Sequence, residues 1–502
     1  MSLTSPVDWL YEVYDEEFGL RFTNFSIKPV HVANGLARAL TGRSYRTEAL
    51  SHTLRRWVTK QKLGVDEERY PNDQILESYG EAFEPLKGSK PDTQRLNRLR
   101  ALANDVLGAD DAVFPDADKS SFTLSNERFI TRDPSDVRAG LFLARLLQAE
   151  PVGSNHAADL FAELLTSEAD AWTTLALPLL KLSDARVEVL SGEAAQRAGK
   201  ADHLFIADGD RLASPTLRVL RDSFDRLARF ERLEGSKLNS MRRIVLFGCF
   251  VVQVHAISRW HERNASAPRP PILLDLFDGT VKSVRDASRA TLRAGGDAVE
   301  GLVLERFREY VVAQVGTSQE AMSEALDAEG VGDALKADVD NLMAGGRTPV
   351  DALSQAMVDA ALNEVREHPL GSLVELGRRA GFLTPWANSG RGGKLQKRYT
   401  ATAEFLETLI AATIEPNSPL EFPEFLDRLH DDFGIVVGRS QDDRFIRENN
   451  LWGAQFGPPT AINEEDLRRN VTELRKLVVE TGYGKSYADG RTVVTTAPEG
   501  DL

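Results

Sequence analysis

Residues 214–233, SPTLRVLRDSFDRLARFERL, decide the class of this chain. Leu217, Leu220, Phe224, Leu227 and Phe230 recur at intervals of three and four, the spacing that lays one apolar stripe along a helix. Ser214 and Pro215 stand where an N-cap and a first-turn proline belong. Arg218, Arg221, Arg226, Arg229 and Arg232 lie away from the stripe. Residues 244–260, IVLFGCFVVQVHAISRW, follow as an almost wholly apolar segment. A helix that is apolar on all sides is a buried one, so this segment is the expected centre of a helical core. Its apolar run, Ile244–Ile257, is interrupted by Gln253 and His255 and is shorter than the roughly 20 residues of a membrane span.

Working outward, Val137–Ala149 and Asn155–Leu180 carry the same three-and-four spacing, with Pro151 and Gly153 between them and Pro178 ending or kinking the second. These place a central helical domain at 135–315. An N-terminal mixed or helical module is expected at 1–134. There Val30–Leu40 and Tyr45–Gln61 flank Thr41-Gly42-Arg43-Ser44, and the span Arg38–Lys62 holds seven Lys/Arg against Glu48 alone. That pattern fits a helix-turn-helix or a helical hairpin with a basic outer face. Gly316–Gly346 holds seven Asp/Glu, one base (Lys336) and several glycines, which marks an acidic connector at 316–347.

The last module, 348–502, is the most readable. Helices are expected at Asp351–Glu367, Ser372–Ala380, Thr400–Ile414 and Glu421–Asp432, a short strand at Ile435–Val437, and a long helix at Asn463–Glu480. Asp489-Gly490 between Lys485-Ser486-Tyr487 and Thr492-Val493-Val494 is a strong hairpin signal. Helices, a long helix and then a hairpin is the order of a winged helix. The expected fold is therefore mainly α and multidomain, with a C-terminal winged-helix-like module.

Composition narrows the class. At 502 residues, 42% apolar and 27% charged, the chain is long enough for several globular domains and is not a disordered polymer. Cys249 is the one cysteine, so an intramolecular disulfide or a multi-cysteine zinc site is excluded and a cytoplasmic home is expected. Met1–Leu20 carries five acidic residues and lacks the basic start and apolar run of a secretory leader, and no membrane partner is expected. A net charge of −15 argues against a surface that coats nucleic acid throughout, while leaving room for a local basic face.

Motifs that carry chemistry are weak. Asn388–Leu395 ends in the Gly-Lys of a phosphate loop, but Asn388 stands where the first glycine belongs and Leu395 replaces the magnesium-binding hydroxyl. Gly484-Lys485-Ser486 has the hydroxyl but places Val479 at the first glycine. In Asp275-Leu276-Phe277-Asp278-Gly279 two residues separate the carboxylates, where an aspartate-nucleophile loop needs one, so a capped turn is the better reading. Asp208 and Asp210 close a short apolar run and read as a turn, or alternatively as acids that hold a metal. His52, His156, His255 and His261 lack metal-ligand spacing. No catalytic residue, metal ligand or cofactor is assigned. Against these, Arg378–Arg398 is an acid-free run holding Arg378, Arg379, Arg391, Lys394, Lys397 and Arg398 with Trp386, Asn388, Gly390, Gly392 and Gly393. Lysine and arginine on glycine-rich backbone suit phosphate contacts. With Lys485 and Arg491 of the hairpin, these are the candidate contacts to double-stranded DNA; an acidic protein partner would suit the loop equally.

Two segments carry a resemblance. Arg398-Tyr399-Thr400 leading into Ala403–Leu409, and Phe422–Leu429 running into Phe433–Gly438, are similar to uncharacterised proteins of bacterial anti-phage and DNA-modification gene clusters. The resemblance covers a quarter to a third of the chain and implies a non-catalytic subunit working beside an ATPase, nuclease or methyltransferase. The expected function is a DNA-associated or scaffolding subunit of such an assembly, with other protein subunits as partners. The alternatives are a metal-dependent nuclease or phosphatase built on the scattered acids, and a purely protein-binding adaptor.

Overall fold

The computed structural model describes residues 5–22, 27–42, 57, 71–79, 94–102, 126–127, 130, 136–149, 156–167, 202–205, 212–234, 237–264, 269–328, 331–365, 369–384, 396–438 and 464–496. Helices dominate. In chain order they begin with α1 (Pro6–Val13), continued by a π-helical turn at Tyr14–Phe18, then α2 (Pro29–Thr41), α3 (Asn72–Tyr79), α4 (Ala139–Gln148), α5 (His156–Thr166) and the one-turn α6 (Asp202–Phe205). The long central helices are α7 (Pro215–Glu234), α8 (Lys237–Arg263) and, after strand β1 (Ile272–Leu273), α9 (Lys282–Gln314). Next come α10 (Gln319–Leu326), α11 (Asp333–Ala344), α12 (Pro349–Val365) and α13 (Pro369–Ala380). The remainder runs β2 (Leu383–Thr384), β3 (Arg398–Tyr399), α14 (Ala403–Thr413), β4 (Leu420–Glu421), α15 (Phe422–Phe433), β5 (Ile435–Val436), α16 (Glu464–Glu480), β6 (Gly484–Ser486) and β7 (Thr492–Val494).

Helix α7 forms as its sequence dictates. The Ser214 hydroxyl accepts from the Leu217 amide at 3.1 Å, capping the helix that Pro215 opens. Its stripe of Leu217, Leu220, Phe224, Leu227 and Phe230 is buried, each side chain contributing about 1.5–3 kcal/mol. Helix α8 packs against α2, α7, α9, α13 and α14, and Ile244, Val245, Phe247, Phe250, Val254 and Ile257 are buried. It is the one helix among the described residues long and apolar enough to cross a membrane, and 89% of its apolar window is buried inside the fold. Apolar burial is continuous from Trp9 of α1 to Val494 of β7.

Helix α9 runs unbroken through Gly295-Gly296, a pair that costs helix stability in isolation. Close packing explains the first of them, because a Cβ on Gly295 would stand 3.0 Å from the Ile257 side chain of α8. Gly301 does the same for the Trp260 ring. The small residues let two long helices approach, and tertiary contact outweighs propensity.

Three small sheets tie the end of the chain to this centre. β1 and β5 pair in parallel, Ile272 with Ile435 and Leu273 with Val436. β2 and β3 pair antiparallel, Leu383 with Tyr399 and Thr384 with Arg398. β4, β7 and β6 form an antiparallel sheet in that spatial order. Buried Asn470 of α16 bolts the first sheet down: its Nδ2 donates to the Leu274 and Val437 carbonyls at 2.8 Å each, and its Oδ1 accepts from the Leu276 amide at 3.1 Å. Ser288 of α9 does the same for β3, with its hydroxyl accepting from the Tyr399 amide at 2.9 Å.

The expected C-terminal helices and hairpin are present within a few residues of their predicted bounds. The acidic stretch after Gly316 is two helices, α10 and α11, with α11 packed on α12. The predicted helix Tyr45–Gln61 lies outside the described residues apart from Trp57.

Candidate nucleic-acid interface

The structure divides the basic residues singled out from the sequence into separate groups. Arg378 and Arg379 occupy the last turn of α13 and face Glu375 one turn earlier, at 2.9 and 3.8 Å. Lys397 is buried beside them; desolvation and then Arg378 hold its ammonium below the usual lysine range, against the pull of Glu375. Arg398 points the other way, with Nε donating to Asp275 at 2.6 Å and Nη2 to Asp278 at 3.0 Å. Arg391 and Lys394, with Trp386, Asn388 and the loop glycines, lie outside the described residues. Lys485 is exposed on β6, beside the 42%-exposed Tyr487 of the same hairpin. Arg491 is also exposed, but donates to Asp489 at 2.6 Å and lies 3.6 Å from Glu421.

The segment 275–281 is a capped turn. Asp275 Oδ1 accepts from the Phe277 amide at 3.0 Å, and the Phe277 carbonyl accepts from the Thr280 amide and hydroxyl at 3.1 and 2.8 Å. Asp278 and Gly279 are left-handed, with φ of 49° and 77°. A Cβ on Gly279 would stand 2.8 Å from the Arg398 guanidinium, so the turn closes over that group only with glycine there. Both carboxylates address one guanidinium, and a divalent cation would have to displace Arg398 to use them. Asp208 and Asp210 lie outside the described residues. His255 is stacked on Phe142 with centroids 4.5 Å apart, its Nε2 is 3.1 Å from the Phe18 carbonyl, and burial followed by Arg259 pushes its pKa down to about 3. It is a neutral core residue. Cys249 is buried in α8, and burial pushes its thiol well above the usual range, which disfavours the reactive thiolate.

On α16 the exposed cations are interleaved with acids. Arg468 lies 3.9 and 3.5 Å from Glu464 and Glu465, Arg469 is 3.4 Å from Asp466, and Lys476 is 3.8 Å from Glu480. The first turn of α16 is joined to the start of α9, where Ser283 donates to Asp466 at 2.5 Å and Arg469 lies over the Phe277 ring at 5.4 Å.

That junction leads to residues that the motif pattern of the sequence did not single out. Lys282, Arg285, Arg289 and Arg293 follow one another at intervals of three, four and four along α9, so they share one face. Lys282 and Arg293 are exposed, and Arg285 and Arg289 are partly exposed. Asp286 is the carboxylate between them, 3.0 Å from Arg285 and 3.4 Å from Arg289. Arg289 also donates to the Gln396 side-chain carbonyl, two residues before Arg398. Partial burial, then repulsion from Arg285, Arg398 and Arg293, holds the Arg289 guanidinium below the usual arginine range, with Asp286 pulling the other way. The sequence signal was present as an arginine stripe of helical period in KSVRDASRATLRAGG, residues 282–296.

No protein-family model, curated protein or solved structure matches this chain.

Proposed function

We propose that this protein is a non-catalytic, DNA-associated or scaffolding subunit that works through a C-terminal winged-helix module. The observation that carries the reading is the order α14, β4, α15, β5, α16, β6, β7 together with the sheet order β4-β7-β6, β5 pairing outside that sheet with β1. A winged helix interleaves three helices with three strands in this way, the last two strands forming the wing. The β6–β7 hairpin offers Lys485, Tyr487 and Arg491 at its exposed edge, the mix of cation and aromatic that suits a sugar-phosphate surface. The resemblance of the C-terminal third supports a setting beside an ATPase, nuclease or methyltransferase in a bacterial defence or DNA-modification assembly. The test is fluorescence anisotropy of a labelled duplex titrated with the full-length protein over a potassium chloride series. Micromolar or tighter binding that weakens steeply with salt is the expected result; an unchanged signal at low salt would remove the DNA role.

A protein-binding adaptor is the second reading. It is favoured by the exposed acids in and just after α10 and in α11, Glu320, Glu324, Asp327, Asp333, Asp338 and Asp340, on a protein of net charge −15. The same titration separates the two, because an adaptor of this kind leaves the duplex unbound.

A further inference from the structure

The arginine stripe of α9 calls for an explanation that the fold does not provide. Like charges placed four residues apart on a helix oppose its formation, yet Arg285, Arg289 and Arg293 repeat that arrangement twice, and Arg398 adds a fourth guanidinium that repels Arg289. Elsewhere in the molecule arginines close on carboxylates: Arg226 on Asp432, Arg229 on Glu415, Arg243 on Glu231. On the stripe Asp286 alone is shared between Arg285 and Arg289, while Arg293 acts on Asp297 one turn later.

The row is straight and fixed. Eleven residues separate Lys282 from Arg293, which on a helix is about 16 Å. Ser288 and Thr291 of the same helix are buried and bond to the backbone of β3 and β1: Ser288 accepts from Tyr399, and Thr291 accepts from Leu273 at 3.4 Å. Arg398, held by Asp275 and Asp278, is a positioning residue that keeps the β3 end of the face in place. An extended polyanion could lie along such a row without any rearrangement of the helix that carries it.

From this juxtaposition we infer that Lys282, Arg285, Arg289 and Arg293 form a second face for the phosphodiester backbone of double-stranded DNA, separate from the β6–β7 hairpin. The inference rests on the DNA-associated reading and deepens it. Contacts of this kind run to phosphate oxygens, so the face positions the duplex and carries no base preference. The Ser283–Asp466 bond and the Arg469–Phe277 stack join the start of the row to α16, so the row and the proposed winged helix would address one duplex together.

The experiment compares four proteins on two duplexes of unrelated sequence across a salt series. They are the wild type, Arg285→Gln/Arg289→Gln/Arg293→Gln, the corresponding Lys triple variant, and Lys485→Ala/Arg491→Ala. The stripe variant is expected to bind at least about tenfold more weakly at low salt, equally on both duplexes, and its log–log salt slope is expected to shrink by about 0.9 for each phosphate it no longer neutralises. The corresponding Lys triple variant keeps the charge and is expected to retain most of the binding, which separates loss of charge from loss of fold. Wild-type affinity and slope in the glutamine variant would overturn the inference while leaving a hairpin-only DNA reading in place. Absence of wild-type binding would overturn that reading and the inference together. Stripe-dependent binding that single-stranded RNA displaces better than duplex DNA would overturn the duplex assignment.

Discussion

Two regions of this molecule are built from the same residue and use it in opposite ways. Along the seam between α7–α8 and the C-terminal helices, each arginine meets an acceptor from a distant part of the chain. Arg226 donates to the Ala412 carbonyl at 2.8 Å and to Asp432 at 3.0 Å, and Arg243 lies 3.9 Å from Glu407. Arg242 pairs with Glu404. Along α9, Arg285, Arg289 and Arg293 share one face, on which Arg285 and Arg289 divide the single carboxylate of Asp286. In the seam the field of each guanidinium is closed inside the protein, so those residues act as ties. On α9, among the described residues, three guanidinia share Asp286 and Asp297, so positive charge remains in excess and those residues retain the capacity to bind an anion. Counting arginines cannot distinguish the two; the position of the carboxylates does.

The comparison can be broken most forcefully at Asp275, the fully buried partner of Arg398. Asp275→Ala leaves a buried guanidinium without its main counter-charge and is expected to cost about 3–5 kcal/mol in a urea unfolding titration. A change below about 1 kcal/mol would mean that Arg398 belongs with the open arginines. In the seam, Arg226→Ala removes two bonds that span 186 and 206 residues of sequence. A loss of about 2–3 kcal/mol is expected from the same titration, and wild-type stability would show the seam to be ornamental.

His255 sharpens the comparison from the core side, where a titratable imidazole is buried against Phe142 and the Phe18 carbonyl. Its folded pKa of about 3 lies below the ordinary 6.5, so the unfolded chain binds the proton first. The stabilising effect is complete above about pH 6.5 and is lost as pH falls toward 3, at up to about 1.4 kcal/mol per unit. Between pH 6.5 and 5 the wild type is therefore expected to lose about 2 kcal/mol through this group. His255→Gln should flatten that part of the profile, and a profile unchanged by the substitution would assign the acid sensitivity elsewhere.

Much of the fold was legible because local rules carry it. The apolar period of 217–230 wrote α7, the largely apolar run 244–257 wrote α8, and Asp489-Gly490 wrote the terminal hairpin. Helix α9 was not among the expected helices; its Gly295-Gly296 pair disfavours a helix in isolation, and the close approach of Ile257 to Gly295 is what accommodates it. The pairing of Ile272 with Ile435 and the ties from α7 to α14 and α15 were not readable, since nothing local specifies a partner more than 150 residues away. The candidate site shows the same limit. The acid-free run Arg378–Arg398 looked uniformly available, but Glu375 and the two aspartates that take up Arg378, Arg379 and Arg398 lie outside it. The stripe at 285, 289 and 293 could have been found by testing for helical period in charge as well as in hydrophobicity.

The smallest expected effect is the most telling. Arginines held for an anion contribute little to the unliganded fold, and removing like-charge neighbours relieves repulsion of a few tenths of a kcal/mol per pair. The measurement is the thermal midpoint, in DNA-free buffer, of Arg285→Gln/Arg289→Gln/Arg293→Gln beside Arg226→Ala. The stripe variant is expected to melt at or slightly above the wild-type temperature, while the seam variant melts several degrees below it. A stripe variant that melts as low as the seam variant would contradict the division between the two regions, because the α9 arginines would then be structural ties like the rest.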